Sequence, residues 1–397
     1  MAVQPGEILV RRRSTASGAG FRTGGTRVLL VLLFCLVCSR LSAAPSAPAY
    51  RLALPGYVWH FPQDHLAHPE FANEWWYFTG NFTGASGRQY GFELTFFRIA
   101  PRPGLAPAQQ LYFAHFAISD LAAGRFRFHE RARTGEWQQA GVDAAISASQ
   151  KPRARVWNEN WQVSFDRQGP RHLEAAWGDM RVSLDLTASG PPMLNGQAGW
   201  SSKGSGHGQA SYYYSLPDLS AHGELSVGGK SEAGRGLVWM DHEFASNQLG
   251  PDQQGWDWIG LQLTSGAQPF DLLLFNLRRK DGGRDPASAG TLRNAAAQQN
   301  LPALAFTMTP LAWWKSPRTG GRYPMDWHVS VPREGLELDI RAAFNDQELA
   351  ARAVGVEYWE GAVVVTGTSH GQPVQGRGYL EMTGYARPFT ALQAGQR

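Results

Sequence analysis

Apolar and polar positions alternate along most of this chain with a period of two, in short runs separated by Gly, Ser, Pro and Asn. Tyr77–Phe82 (YFTGNF) leads into the turn Thr83–Gly87 (TGASG), and Tyr90–Arg98 (YGFELTFFR) returns from it. Two aromatic, β-branched runs about a Gly/Ser turn predict a β-hairpin. Comparable runs recur at Leu111–Ile118, Trp161–Phe165, Met180–Leu186, Gly223–Val227, Leu237–Asp241, Trp258–Leu263, Phe270–Leu277, Leu336–Ile340, Val354–Tyr358, Ala362–Gly367 and Tyr379–Met382. Helical apolar spacing is scarce, and only Leu292–Leu301 and Asp346–Ala353 read as short helices. The pattern predicts an all-β protein of sandwich or barrel type.

The pattern also repeats itself. Trp76 to Arg98 (WYFTGNFTGASGRQYGFELTFFR) and Trp256 to Arg278 (WDWIGLQLTSGAQPFDLLLFNLR) each span 22 positions, from an aromatic strand to a closing arginine. Val182–Leu186 has a counterpart in Leu336–Ile340, and Gly234-Arg235-Gly236-Leu237 has one in Gly376-Arg377-Gly378-Tyr379. Three echoes in the same order predict two tandem units, at 50–230 and 231–390, joined through the Gly/Ser-rich stretch Gly228–Gly236 and followed by a tail at 391–397.

The first 49 residues change the picture in one respect. Arg11, Arg12, Arg13, Arg22 and Arg27 precede Val28–Cys38 (VLLVLLFCLVC), an uncharged run of 11 residues followed by Ser42-Ala43-Ala44-Pro45. A basic segment, a short apolar run and a small-residue exit are the parts of a secretory signal, with cleavage after Ala43, Ala44 or Ala49; an N-terminal membrane anchor is the alternative. The expected location is periplasmic or secreted. Both cysteines, Cys35 and Cys38, lie in this run, so the exported chain has no disulfide and relies on a large core. The net charge of +4 is concentrated in the same segment, and no basic cluster interleaved with aromatics follows it, which argues against nucleic acid as a partner.

Candidate chemistry sits in four places. His60–Phe78 gathers histidines and acids beside Trp75, Trp76 and Tyr77; alternation puts Glu74, Trp76 and Phe78 on one face and Trp75 and Tyr77 on the other. An acid among inward aromatics has a raised pKa and can serve as a general acid, although a strand-end Glu74 in water or paired with an arginine needs no such role. The histidines lack metal-site spacing, so no metal is expected. In Leu237–Phe244 (LVWMDHEF), Asp241 and Glu243 share a face and His242 points away. An Asp/Glu pair on one face can divide acid and base roles; solvated charges at a strand end are the plainer alternative. The second unit carries Thr383, Gly384 and Tyr385 at the matching positions, so the framework does not require those charges. Trp256 and Trp258 share a face opposite Asp257, fitting either a cavity wall or plain core. His115 stands alone in an apolar strand, and Tyr213 and Tyr358 lie in aromatic–polar stretches. No H-E-x-x-H or phosphate-binding glycine loop is present.

The segments HPEFANEWWYFTGNF, YGFELTFFR, YYYSLP, WMDHEF, GWDWIGLQL and GRGYLEMTGY resemble the AttH / carotenoid 1,2-hydratase-like family, in order and over nearly the whole exported part. The resemblance implies two lipocalin-like β-barrel domains in tandem. It also implies enzymes that add water to an isolated alkene of a carotenoid or isoflavonoid, without cofactor or metal. Other members are exported proteins encoded beside ABC-transporter permeases. On this basis Asp241, Glu243, His242 and Glu74 are candidate catalytic residues, and Trp75, Trp76, Tyr77, His115, Tyr213, Trp256, Asp257, Trp258 and Tyr358 candidate ligand contacts. The leading reading is a hydratase acting on a hydrophobic, isoprenoid- or lipid-like molecule held in a barrel interior. The alternative is a periplasmic carrier of such a molecule, serving a transporter without catalysis; a hydrolase ranks third because no nucleophile constellation supports it.

Overall fold

The computed structural model describes residues 49–146, 154–351 and 355–388. The segment read as an export signal and the tail at 391–397 lie outside the described residues. The first sheet begins with the meander β1 (Asn73–Gly84), β2 (Gln89–Ile99), β3 (Leu111–Asp120) and β4 (Arg125–Thr134). It continues through β5 (Ala140–Val142), β6 (Ala154–Asn158), β7 (Trp161–Asp166), β8 (Gly169–Trp177) and β9 (Met180–Ala188). The short strands β10 (Met193–Leu194) and β11 (Trp200–Ser202) pair with the long β12 (Ala210–Val227), and β13 (Lys230–Asn247) completes the sheet. The second sheet holds β14 (Gln253–Ser265), β15 (Gln268–Arg279), β16 (Ala289–Asn294), β17 (Gln298–Pro302), β18 (Thr307–Lys315), β19 (Arg322–Val331) and β20 (Leu336–Ala342). It ends with β21 (Glu348–Ala351), β22 (Val356–Ser369) and β23 (Gln372–Thr383).

The two sheets share one topology. The first runs β4-β3-β2-β1-β13-β12-β9-β8-β7-β6-β5, and the second β17-β16-β15-β14-β23-β22-β20-β19-β18. In each, the last long strand returns to pair antiparallel with the first. These are two lipocalin-like barrels, the first nearly closed and the second a half-barrel. The first approaches closure where Arg131 Nη1 on β4 donates to Asn158 O on β6 at 3.2 Å. The repeated Gly-Arg-Gly has a steric reason. A Cβ on Gly236 would lie 2.3 Å from Asn81 O, and one on Gly378 would lie 2.1 Å from Gly260 O. In both copies the closing strand crosses its neighbour too closely for any side chain there.

Three expectations are corrected. Gly228–Gly236 is not a join: Val227 pairs with Lys230 across a tight hairpin, and 230–247 belongs to the first sheet. The chain passes between sheets after Asn247, so the division at 230/231 falls one strand early. Leu292 lies on a strand opposite Leu272, and Glu348–Ala351 pairs with β22, so neither expected helix forms. Pairing to an apolar neighbour overrides weak local helical spacing.

Each barrel is filled. Trp76, Phe78, Phe92, Leu94, Phe96, Phe116 and Trp161 pack the first interior, and Ile259, Leu261, Leu272, Trp327 and Trp359 the second. Among the described residues, buried side chains thus occupy both interiors. A third cluster, with Tyr77, Tyr213, Trp239, Trp258, Phe275 and Tyr379, joins the two sheets on the opposite strand faces. Side-chain hydrogen bonds also cross this contact, among them Ser119 to Gln347 at 2.7 Å and Thr291 to Asn195 at 2.9 Å.

Candidate active site between the two sheets

The site lies on these opposite faces, between the barrels. A cavity of about 90 Å³, partly open to solvent, is lined by Trp75 and Tyr77 of β1, Glu93, Thr95 and Phe97 of β2, and Phe113 and His115 of β3. Tyr213 of β12 and Asp241 and Glu243 of β13 continue the wall. The second sheet contributes Trp256, Trp258, Phe275, Leu277, Tyr358 and Glu381. Strand alternation explains the selection. Tyr77 lies opposite Asp241 and Trp75 opposite Glu243 across β1–β13, with Trp76 and His242 turned to the barrel core.

Asp241 is 4% exposed and accepts from Tyr213 Oη and Ser215 Oγ at 2.5 Å each and from Trp239 Nε1 at 2.7 Å. Burial pushes its carboxyl up to about 7 against the pull of these three donors. Trp258 Nε1 donates to Tyr213 Oη at 3.0 Å, so the second barrel braces this acid through the tyrosine. Glu243 pairs with Lys203 Nζ at 3.0 Å, and that ammonium sits 4.3 Å from the Phe275 ring centroid.

Three further acids were not anticipated. Glu93, pushed by burial to about 7, accepts from Thr95 Oγ1 at 2.9 Å and Tyr358 Oη at 3.1 Å. Burial raises Glu381 to about 8, and it accepts from Trp256 Nε1 at 3.0 Å. Glu360, just behind the wall, accepts from Tyr77 Oη at 2.7 Å and is raised well above the usual carboxylate range, by burial first and then by Glu93 and Glu381. A signal for Glu93 exists in the sequence: it is the one charged residue inside YGFELTFF, on the face opposite Phe92 and Leu94.

The profile of the AttH-like family matches residues 52–385. The chain belongs to the AttH-like family. A solved structure from Nitrosomonas europaea, described as AttH, is 35% identical, with a TM-score of 0.73 over 84% of this chain and 99% of that one. The dehydratase asqC of Emericella nidulans is 22% identical over 67% of this chain and 75% of its own length. Kievitone hydratase of Fusarium solani subsp. phaseoli is also 22% identical, over 51% of this chain and 57% of its own length. Its distant relatives are thus a dehydratase and a hydratase.

In this AttH-like chain, Trp75, Tyr77, His115, Tyr213, Asp241, Glu243, Trp256, Trp258 and Tyr358 meet at the cavity. Glu74, Trp76, His242 and Asp257 do not. Glu74 is 1% exposed inside the first barrel, where it accepts from Arg98 Nε at 2.9 Å, His68 Nδ1 at 2.7 Å and His242 Nε2 at 2.9 Å. Burial would raise its pKa, but the Arg98 guanidinium and His68 hold it well below the usual carboxylate range, so it is no proton donor at neutral pH. The hairpin register places Glu74 opposite Arg98, so this pairing was implicit in the predicted hairpin. His242 stacks on Trp76 at 4.8 Å, away from the cavity. Asp257 lies opposite Asn276 across β14–β15 and is held by Arg278 Nε at 3.2 Å.

His68, Glu74 and His242 bring donor atoms within 4.8 Å of one another, the closest approach to a metal-ligand set among the described residues. Both histidines already bond the same Glu74 oxygen, and Arg98 takes the other. A guanidinium at that distance makes this an ion-pair network, unsuited to a further cation.

Proposed function

We propose that this protein is a hydro-lyase that adds water to, or removes it from, a carbon–carbon bond of a largely apolar small molecule held between the two barrels. The observation that carries the reading is Asp241: a carboxyl near its titration point at neutral pH, buried in an aromatic cavity. Protonating an alkene needs an acid kept neutral until the substrate arrives. The cation that follows needs aromatic faces and little competing water, and Trp75, Trp256, Trp258 and Tyr77 supply such faces. In the elimination direction the same groups act in reverse. The isoprenoid or isoflavonoid character of the substrate is part of the proposal, supported by the aromatic walls and by kievitone hydratase among the relatives.

Native mass spectrometry of protein purified from its own organism identifies the bound molecule, which is then incubated with the protein in H2¹⁸O. Wild type incorporates ¹⁸O, and Asp241→Asn does so on the order of 10²-fold more slowly. A bound apolar molecule that wild type never labels sinks the enzymatic reading. It leaves the carrier, which needs the aromatic walls but not the acids.

A further inference from the structure

Four buried polar atoms of cavity-lining residues have no hydrogen-bond partner among the described residues: Gln248 Nε2, Glu243 Oε1, which is in an ion pair with Lys203, and, on the neighbouring strands β2 and β3, Glu93 Oε2 and His115 Nε2. The Glu93 and His115 side chains are both 1% exposed. Leaving such an atom unpaired costs about 1–3 kcal/mol, so two on one wall mark a place for a polar group of a ligand. The two residues are linked. Tyr358 Oη lies 2.6 Å from His115 Nδ1 and donates to Glu93 Oε1 at 3.1 Å. Thr95 Oγ1 holds the same carboxyl oxygen, and Thr95 sits directly opposite His115 across β2–β3. Glu93 and His115 come from the first barrel and Tyr358 from the second, so docking of the two assembles the link.

Its polarity follows from proton counting. The rings of Phe97, Phe113 and Phe128 surround His115 with centroids 5.3, 5.6 and 5.5 Å away, and burial lowers its pKa to about 3, so the ring is neutral. A tyrosine hydroxyl has one proton. Tyr358 gives it to Glu93, so its oxygen accepts the Nδ1 proton of His115. A neutral imidazole protonated at Nδ1 carries its lone pair on Nε2, the atom left unpartnered at the cavity.

We propose that His115, Tyr358 and Glu93 form a proton relay whose open end, His115 Nε2, receives the water or hydroxyl that the reaction consumes or releases. This rests on the hydro-lyase reading and narrows the ligand class to apolar molecules that bear an alcohol in their hydrated form. In hydration, Asp241 gives its proton to one alkene carbon and becomes a carboxylate, leaving a cation at the neighbouring carbon. The water oxygen forms the new C–O bond, and its proton passes to His115 Nε2. The Nδ1 proton moves to Tyr358, whose own proton moves to Glu93. His115 ends neutral in its other tautomer and Glu93 ends as a carboxylic acid. The Nε2 proton then leaves through solvent for Asp241 while the Glu93 proton returns through Tyr358 to Nδ1, which restores the site, and the net change is one water added. Burial places both carboxyls near about 7, so the exchange is nearly balanced.

The test is ¹⁵N NMR of the full chain with labelled histidine at pH 7. The relay requires His115 protonated at Nδ1 with Nε2 bare, and a move to the Nε2–H tautomer in Tyr358→Phe, which keeps the ring volume. An Nε2–H tautomer or an imidazolium in wild type overturns it. The second arm uses ¹⁸O turnover of the molecule extracted from the native protein. Tyr358→Phe and Glu93→Gln each lower kcat on the order of 10²-fold with little change in KM. Full kcat in both variants overturns the relay while the hydro-lyase reading stands. No turnover by wild type defeats the hydro-lyase reading, and the tautomer result alone then decides the geometry.

Discussion

Replacing Asp241 with asparagine should inactivate the protein and, at alkaline pH, stabilise it. The Asp241 carboxyl is raised from 3.8 to about 7 by burial, whereas in the unfolded chain it returns to about 3.9. Between those values the folded state holds a proton that the unfolded state has lost. Stability therefore falls as pH rises from about 4 to about 7 and is flat above. Three pKa units correspond to about 4 kcal/mol at pH 8. Asparagine removes that penalty but reverses one hydrogen bond: its Nδ2 replaces the oxygen that accepts from Tyr213 at 2.5 Å, while its oxygen keeps Ser215 and Trp239. Tyr213 Oη can accept two donors, Nδ2 and Trp258 Nε1, so the reversal costs about 1 kcal/mol. Asp241→Asn is expected to be about 3 kcal/mol more stable than wild type at pH 8 and about 1 kcal/mol less stable at pH 4. Urea unfolding of both proteins across this range reads the crossing directly. A difference that stays constant with pH, or a variant weaker at every pH, would refute the assignment of Asp241 as a buried, protonatable acid.

Arg98→Met leaves the Glu74 carboxylate buried without its guanidinium and strands the carbonyls of His68 and Phe71, each bonded at 2.9 Å. Urea unfolding should show a loss of about 3–5 kcal/mol; a loss below about 1 kcal/mol would mean that Glu74 is neutral in the fold. Trp256→Ala should weaken binding of a neutral fluorescent naphthylamine by about tenfold, because a tryptophan contributes much of the area a ligand buries; unchanged affinity would place the ligand elsewhere. Gly378→Ala drives a Cβ to 2.1 Å from Gly260 O and should cost more than about 2 kcal/mol, whereas Gly190→Ala, with nothing within 4 Å, should be near neutral. Equal melting temperatures for the two glycine variants would contradict the close strand crossing.

The sequence by itself determined the strand character, the tandem repeat and the side-chain faces. Period-two alternation is set by backbone geometry alone, so it correctly paired Asp241 with Glu243 and Trp256 with Trp258, and turned His242 and Asp257 away. Its three echoes match equivalent strands of the two sheets. Only the tertiary structure decided which face meets the ligand. On β1, β2 and the part of β13 from Val238 to Ser246 both faces are buried, one in a barrel core and one against the other barrel, so neither carries the polar mark of a solvent side. The ligand was therefore expected inside a barrel, and Glu74 on that face looked like a catalytic acid, whereas Arg98 makes it a structural anion. Glu93, Glu360 and Glu381 acquire their raised pKa values from burial between sheets that are far apart in the chain. Long-range docking creates that low-dielectric space, and no local pattern of residues encodes it.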